Sequence, residues 1–133
     1  MTEKEFIPYE EALALKELGF DEPCFSIYYS KDKSFSWHHH KDHTNDEPVL
    51  DTGEFNISAP LYQQAFRWFR ENEGMFIASF KISYEDGPYL WSFEITDEKS
   101  RLSDEEYMID DYKTYEKAEL VCLKKLIEIV KMN

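Results

Sequence analysis

Residues 75–96 carry two runs of alternating apolar and polar side chains, separated by the turn-forming sequence Glu85-Asp86-Gly87-Pro88. Because successive side chains of a strand point to opposite faces, this alternation predicts two strands, each with one apolar face. Those faces comprise Phe76, Ala78, Phe80, Ile82 and Tyr84 in the first strand and Tyr89, Trp91, Phe93 and Ile95 in the second. A hairpin with one buried face restricts the fold to classes that contain an antiparallel sheet.

Three segments with helical periodicity can cover such a sheet. The first runs from about Pro8 to Leu18 and ends at Gly19-Phe20, a sequence typical of a helix C-terminus. The second opens at Ser58-Ala59-Pro60 and ends at Gly74, with an apolar arc of Leu61, Tyr62, Ala65, Phe66, Trp68 and Phe69. The third spans about 115–131 with Thr114 as N-cap, and its stripe comprises Ala118, Cys122, Leu126, Ile129 and Val130, flanked by Leu123 and Ile127. We expect the second and third helices to lie side by side on one face of the sheet.

A second hairpin is predicted over residues 24–37, with its turn at Lys31-Asp32-Lys33 and with Phe25, Ile27 and Tyr29 on one face. Residues 38–56 show no periodicity and predict a long polar loop. The element order α-β-β-α-β-β-α in 133 residues predicts a single α+β domain, residues 1–133. Its antiparallel sheet would have about four strands from two hairpins, covered on one face by helices.

The chain is strongly acidic, with 28 acidic and 15 basic residues and a formal charge of −13. This charge argues against direct binding to nucleic acid. No apolar run is long enough to cross a bilayer, and the acidic N-terminus lacks the apolar region of a secretory signal. The two cysteines, Cys24 and Cys122, are expected to be reduced core thiols of a cytoplasmic protein. An acidic surface serves solubility, and it can also bind a basic partner or imitate nucleic acid.

All four histidines lie in residues 38–43, in the sequence HHHKDH. His39, His40 and His43 are candidate ligands for zinc or nickel, because imidazole suits both metals. A metal site needs ligands held in place, and this segment lies in the predicted loop without helix caps or a nearby cysteine. We therefore interpret it as a polar loop, with a specific metal site as the alternative.

No catalytic motif and no cofactor-binding motif occur in the chain, so a non-enzymatic role is favoured. Candidate partner-binding residues are the basic pair of the second helix, the tyrosines not assigned to the core and an adjacent pair of acids: Arg67, Arg70, Tyr107, Tyr112, Asp110 and Asp111. Tyr28 is also left unassigned by the alternation. Aromatic side chains are enriched at protein interfaces, so a protein partner or a homodimer is expected.

Three blocks resemble a family of small uncharacterised proteins common in phages and prophages of Bacteroidetes. They are YEEALALKELGFDEPC (9–24), ISAPLYQQAFRWFRE (57–71) and YEKAELVCLKKLIEIVK (115–131). The resemblance implies a phage or mobile-element origin and action in the bacterial host cytoplasm, and it implies no activity. The leading hypothesis is therefore a non-enzymatic acidic accessory protein that binds a host or phage protein. The alternatives are a nucleic-acid mimic that occupies a nucleic-acid-binding protein, and an enzyme or metal-binding protein with its site at the histidine loop.

Overall fold

The computed structural model describes residues 2–37, 44–46, 52–72, 77–83, 89–96 and 112–132. The chain forms two compact units, Met1–Ala65 and Phe66–Asn133. The helices are α1 (Tyr9–Glu17), α2 (Tyr62–Asn72) and α3 (Tyr115–Lys131), and a short 3-10 turn precedes α1 at Glu3–Glu5. The strands are β1 (Ser26–Tyr29), β2 (Phe35–Trp37), β3 (Asn56–Ser58), β4 (Ile77–Ser83) and β5 (Leu90–Thr96).

The N-terminal unit contains an antiparallel sheet with the order β2-β1-β3. The hairpin of β1 and β2 matches the prediction, and its turn is closed by the Lys33 amide, which donates to the Tyr29 carbonyl at 2.8 Å. Strand β3 is an addition to the predicted elements. The sequence predicted a loop through residue 56 and then a helix opening at Ser58, with no strand between them. Strand β3 pairs with β1 through Tyr28 and Ile57, so β1 is the central strand.

Helix α1 confirms the predicted boundaries and the predicted stop at Gly19. Gly19 has φ +102°, and its amide donates to the Lys16 carbonyl at 3.0 Å. The Phe20 amide donates to the Leu15 carbonyl at 2.9 Å, which completes a Schellman motif. Phe20 is buried, so this motif joins the end of the helix to the core of the unit.

The predicted burial of the side chains in and next to β1 was wrong. Tyr28, left out of the predicted core, is buried, and its hydroxyl donates to the Ile7 carbonyl at 2.7 Å. Phe25 and Tyr29, assigned to the buried face, are 52% and 41% exposed. The reason is that β1 is a central strand with both faces covered at its middle, where Ile27 is also fully buried. A half-buried strand was assumed, and the period-two pattern of such a strand does not apply here.

The C-terminal unit contains the predicted hairpin of β4 and β5. Its register pairs Ala78 with Ile95, Phe80 with Phe93, and Ile82 with Trp91, so the predicted apolar residues of the described strands share one face. Tyr112 continues this sheet beyond β5, because its amide and carbonyl exchange hydrogen bonds with those of Trp91.

Helix α2 begins at Tyr62, later than the predicted start at Ser58-Ala59-Pro60. The residues before it remain extended, because the Ala59 amide donates to the Ser26 carbonyl and Phe6 pairs with Leu61. Trp68 and Phe69 are buried on the predicted apolar arc, with ring centroids 5.1 Å apart.

Helix α3 has the predicted boundaries, and the Thr114 hydroxyl accepts from the Lys117 amide at 3.1 Å. It packs against β5, and its first residue, Tyr115, contacts Trp91 and Phe80 with ring centroids 5.0 and 5.2 Å apart. Phe66 of α2 also contacts Phe80, at 5.6 Å. The Phe80 ring therefore contacts one residue of each helix, Phe66 of α2 and Tyr115 of α3.

The architecture is α+β, which confirms the predicted class. Its described strands form two antiparallel sheets, of three and two strands, instead of one sheet of about four. Within the described ranges, no helix combines the length and the hydrophobicity that a membrane-spanning segment requires.

Candidate functional site

The large apolar side chains that are most exposed on the N-terminal sheet are Phe25 and Tyr29. Phe25 lies directly before β1 and Tyr29 is the last residue of the strand, with the fully buried Ile27 between them. The alternation of strand side chains puts Ile27 and Tyr29 on the same side of the sheet. Phe25 and Tyr29 are four residues apart, so their Cα atoms are separated by at most roughly 14 Å.

The segment that carries Phe25 is fixed by a neighbouring helix. The amide nitrogen of Gln64 donates to the Pro23 carbonyl at 3.0 Å and to the Glu22 carboxylate at 3.3 Å. The Cys24 thiol donates to the Glu22 carbonyl at 3.4 Å, and Cys24 is buried. Phe25 is therefore exposed on a backbone that several bonds hold in place, which lowers the entropy lost when such a ring is bound.

Hydrogen bonds also fix the backbone around Tyr29. Its amide donates to the Ser34 carbonyl at 2.9 Å. The next residue, Ser30, exchanges two bonds with Phe55: the Ser30 amide donates to the Phe55 carbonyl, and the Phe55 amide donates to the Ser30 hydroxyl. The exposure of Tyr29 thus belongs to an ordered strand end.

Acidic residues outnumber basic ones in this unit. By sequence, Met1–Ala65 contains 13 acidic and five basic side chains, and Phe66–Asn133 contains 15 acidic and ten basic, so both units are acidic. Asp21 and Glu22 lie just before Phe25, and Glu54 lies two residues before Asn56, the residue that pairs with Tyr29. Asp21 and Glu22 therefore place negative charge shortly before Phe25, whereas the turn after Tyr29 carries both signs, at Lys31, Asp32 and Lys33.

The third exposed ring of this unit, Trp37, belongs to a packed cluster. Its ring centroid lies 5.1 Å from that of Phe6 and 5.5 Å from that of Phe35, with nearly perpendicular planes. Phe35 also contacts Tyr28, at 5.5 Å. These are direct edge-to-face contacts that leave no room for a ligand between the rings. The cluster therefore serves packing and includes the buried Tyr28, whose pKa is raised to about 12 by burial and by Glu3 and Glu11.

The sequence-predicted partner residues lie in the C-terminal unit or outside the described residues. Arg67 and Arg70 are exposed on α2. Tyr112 is half-buried and stacks on Phe93, with ring centroids 6.1 Å apart and planes 11° apart, so it contributes to packing. Tyr107, Asp110 and Asp111 lie outside the described residues.

The candidate metal ligands His39, His40 and His43 also lie outside the described residues. Among the residues that are described, no group of three or more histidine, cysteine, aspartate or glutamate side chains has the arrangement of a metal site. The two cysteines form no disulfide, and both are buried.

Glu119 is the one carboxylate, among the groups described, whose pKa is shifted far upwards. It lies on the core-facing side of α3, one turn from Tyr115 and one turn from Cys122. Burial and, to a smaller extent, the nearby Glu116 carboxylate raise the pKa of Glu119 to about 7. Burial and Glu119 together raise the pKa of the Cys122 thiol above its ordinary value. A thiol held in its protonated form is a poor nucleophile, so this group lacks the activated cysteine that covalent catalysis requires.

The sequence did not identify Phe25 and Tyr29 as a candidate binding surface, and it did not identify Glu119 as a residue with a raised pKa. A signal for Glu119 was present, since it falls inside the apolar stripe of Ala118 and Cys122 at helical spacing. No comparable local signal exists for Phe25 and Tyr29, because their exposure depends on what covers the central strand.

The chain matches no protein-family model, and neither the curated proteins nor the solved structures compared with it include a significant match. The resemblance to phage and prophage proteins therefore stays a prediction.

Proposed function

We propose that the protein is a non-enzymatic acidic binding protein that contacts a basic protein partner through Phe25 and Tyr29. The observation that supports this proposal is the exposure of two large aromatic rings, one directly before β1 and one at its end, in a unit rich in carboxylates. Rigid aromatic anchors surrounded by a charged rim are typical of protein-binding surfaces. The resemblance to phage and prophage proteins would place the partner, a host or phage protein, in a bacterial cytoplasm.

We infer from the chemistry of this surface that the partner binds it through cationic side chains. A lysine or arginine placed over the face of an aromatic ring gains cation–π stabilisation, and Asp21, Glu22 and Glu54 would strengthen that attraction. We expect the partner to present basic residues to both rings, in an extended segment that follows β1.

Site-specific photocrosslinking in source cells tests this proposal. A benzophenone amino acid would replace Phe25 or Tyr29, with Lys81 as an exposed control position on β4. We expect one basic protein to be crosslinked from positions 25 and 29 and not from position 81. Crosslinking that is absent at both sites, or equal at all three, would contradict the proposal.

The same partner, once purified, permits a second measurement. Replacing Phe25 with increasingly fluorinated phenylalanines weakens the negative potential of the ring while its size and apolar character are largely kept. We expect affinity to fall stepwise with each fluorine, and the Phe25→Ser/Tyr29→Ser variant to bind at least about tenfold more weakly. Affinity that is unaffected by fluorination would show that the ring does not contact a cation.

The alternative of a nucleic-acid mimic predicts a different set of essential residues. A mimic would engage its partner through carboxylates, so an excess of double-stranded DNA would compete for the same partner and Phe25→Ser/Tyr29→Ser would have little effect. The exposed rings favour the aromatic contact over the mimic.

A further inference from the structure

Two helices, one from each unit, carry the same pattern of side chains with opposite charge. In α1 the sequence is Glu-x-x-Leu-Ala-x-x-Glu, from Glu10 to Glu17. In α3 it is Lys-x-x-Leu-Val-x-x-Lys, from Lys117 to Lys124. Positions i, i+3, i+4 and i+7 form a continuous stripe along one side of a helix.

Both stripes face solvent. Glu10, Glu17, Lys117 and Lys124 are exposed, and the apolar residues between them are half-exposed: Leu13, Ala14, Leu120 and Val121. The buried residues of each helix lie on its other side, Ala12 and Leu15 in α1 and Ala118, Cys122 and Leu126 in α3. Each stripe is therefore an outer surface that the packing of its own unit does not consume.

The two stripes match in spacing as well as in charge. Seven residues of α-helix rise about 10.5 Å, so the two carboxylates are as far apart as the two ammonium groups. If the helices lie side by side, both charge pairs can form while Leu13 and Ala14 meet Leu120 and Val121. Ala14 is small enough to let the backbones approach closely. The chain thus carries two surfaces that complement each other.

We propose that these stripes mediate self-association, in which α1 of one copy packs against α3 of a second copy. In a symmetric dimer the contact would form twice, because each copy supplies both an acidic and a basic stripe. This surface is distinct from Phe25 and Tyr29, so self-association and the proposed function can fail independently.

Association through these stripes is expected to be weak. Each copy carries a charge of −13, and two copies repel each other beyond the local contact. At about 0.15 M salt the Debye length is about 8 Å, which screens this long-range repulsion while the closely paired charges are affected less. Glu10 also forms an intramolecular ion pair with Lys33 at 3.1 Å, which competes with the intermolecular pair. A small, partly apolar contact of this kind is typical of transient dimers.

Charge reversal provides the test, with sedimentation velocity of the full chain as the readout. The α1 variant is Glu10→Lys/Glu17→Lys, and the α3 variant is Lys117→Glu/Lys124→Glu. We expect each variant alone to dissociate at least about tenfold more readily than the parent, because like charges then face each other. An equimolar mixture of the two variants should associate again, since each stripe regains an oppositely charged partner. The chain with all four reversals should behave like the parent.

The control variant, Glu3→Lys/Glu71→Lys, changes the net charge by the same amount as the α1 variant at two exposed positions outside both stripes. It should associate as well as the parent or slightly better. Because Glu10 lies in the first turn of α1, where a lysine opposes the helix dipole, Glu17→Lys alone should be measured too. Circular dichroism of every variant reports whether the fold is retained.

Three results would overturn the proposal. The first is a parent chain that stays monomeric at every concentration up to about the millimolar range, where transient contacts of this size populate. The second is that the charge-reversed variants associate as strongly as the parent. The third is that the mixture of the two variants does not recover association.

Discussion

Each of the two units is stabilised internally by a different kind of interaction. In the N-terminal unit, side chains bond to backbone groups far away in sequence: Tyr28 to Ile7, Asn45 to Phe20 and Ser58, and Gln64 to Pro23. In the C-terminal unit, the Thr114 hydroxyl accepts from an amide three residues away and the Asn72 side chain donates to a carbonyl four residues away. Apolar residues at regular helix and strand spacing supply the core there instead.

This difference determines what each unit tolerates. A core of periodic apolar side chains depends on volume and burial, so a loss of side-chain volume should be its most damaging change. A unit fixed by individual hydrogen bonds leaves buried polar groups unpaired when one bonding partner is removed. Four predictions test how substitutions in each unit change the stability of the protein, from the largest expected effect to the smallest.

Trp68→Ala should be the most destabilising of the four changes, at about 3–5 kcal/mol. Trp68 is 4% exposed and contacts Phe69 edge-to-face, so its removal opens a large cavity in the C-terminal unit. Chemical denaturation measures the loss. Arg70→Ala, an exposed position two residues further along α2, is the control and should change stability by no more than about 0.5 kcal/mol. A Trp68→Ala protein as stable as the parent would mean that apolar burial does not dominate this unit.

Asn45→Ala tests the N-terminal unit and should cost about 2 kcal/mol. The Asn45 side chain accepts from the Ser58 amide at 2.8 Å and donates to the Phe20 carbonyl at 2.9 Å. It thus joins β3 to the end of α1, and its loss leaves two backbone groups without these partners. Asn45→Asp is the comparison variant, because it keeps the acceptor for Ser58 but places a carboxylate oxygen, which repels, against the Phe20 carbonyl. A cost below that of Asn45→Ala would show that the bond to Ser58 outweighs this repulsion.

The same difference explains which parts of the fold could be predicted from sequence. The boundaries of α3 and the apolar face of β4 and β5 follow from local periodicity, so the pattern identified them. Strand β3 has three residues, and its conformation depends on pairing with β1, which no local pattern encodes. The same holds for Tyr28, whose burial depends on the distant Ile7 carbonyl. The candidate surface at Phe25 and Tyr29 was missed for this reason.

Glu119→Gln should stabilise the protein at high pH and have little effect at low pH. The pKa of Glu119 is raised from 4.5 to about 7 in the folded chain, so folding favours the protonated carboxyl. The stability that the protonated form provides is complete below about pH 4.5 and is lost as pH rises through about 7. Glutamine stays neutral and avoids this loss.

Above pH 7.5 the Glu119→Gln variant should exceed the parent by on the order of 1 kcal/mol, a figure reduced because the carboxyl is only half-buried. Denaturation midpoints of both proteins at several pH values between 4 and 8 measure the difference. Glu128→Gln, at an exposed position of the same helix, controls for the removal of one carboxylate from α3. If the difference in unfolding free energy between the parent and Glu119→Gln were constant across this pH range, Glu119 would not have the raised pKa assigned to it.

Lys33→Gly should give the smallest effect, a stabilisation of about 0.5 kcal/mol, and it tests the turn of the N-terminal unit. Lys33 has φ +62°, a left-handed conformation that costs a non-glycine residue about 1–2 kcal/mol. Glycine removes this cost, but it gains freedom in the unfolded chain and loses the exposed ion pair with Glu10. Lys33→Ala isolates the backbone contribution, because alanine also loses the ion pair yet keeps the unfavourable φ. We therefore expect glycine to exceed alanine by about 1 kcal/mol in equilibrium denaturation, and an alanine variant as stable as the glycine variant would show that the turn imposes no backbone cost at this position.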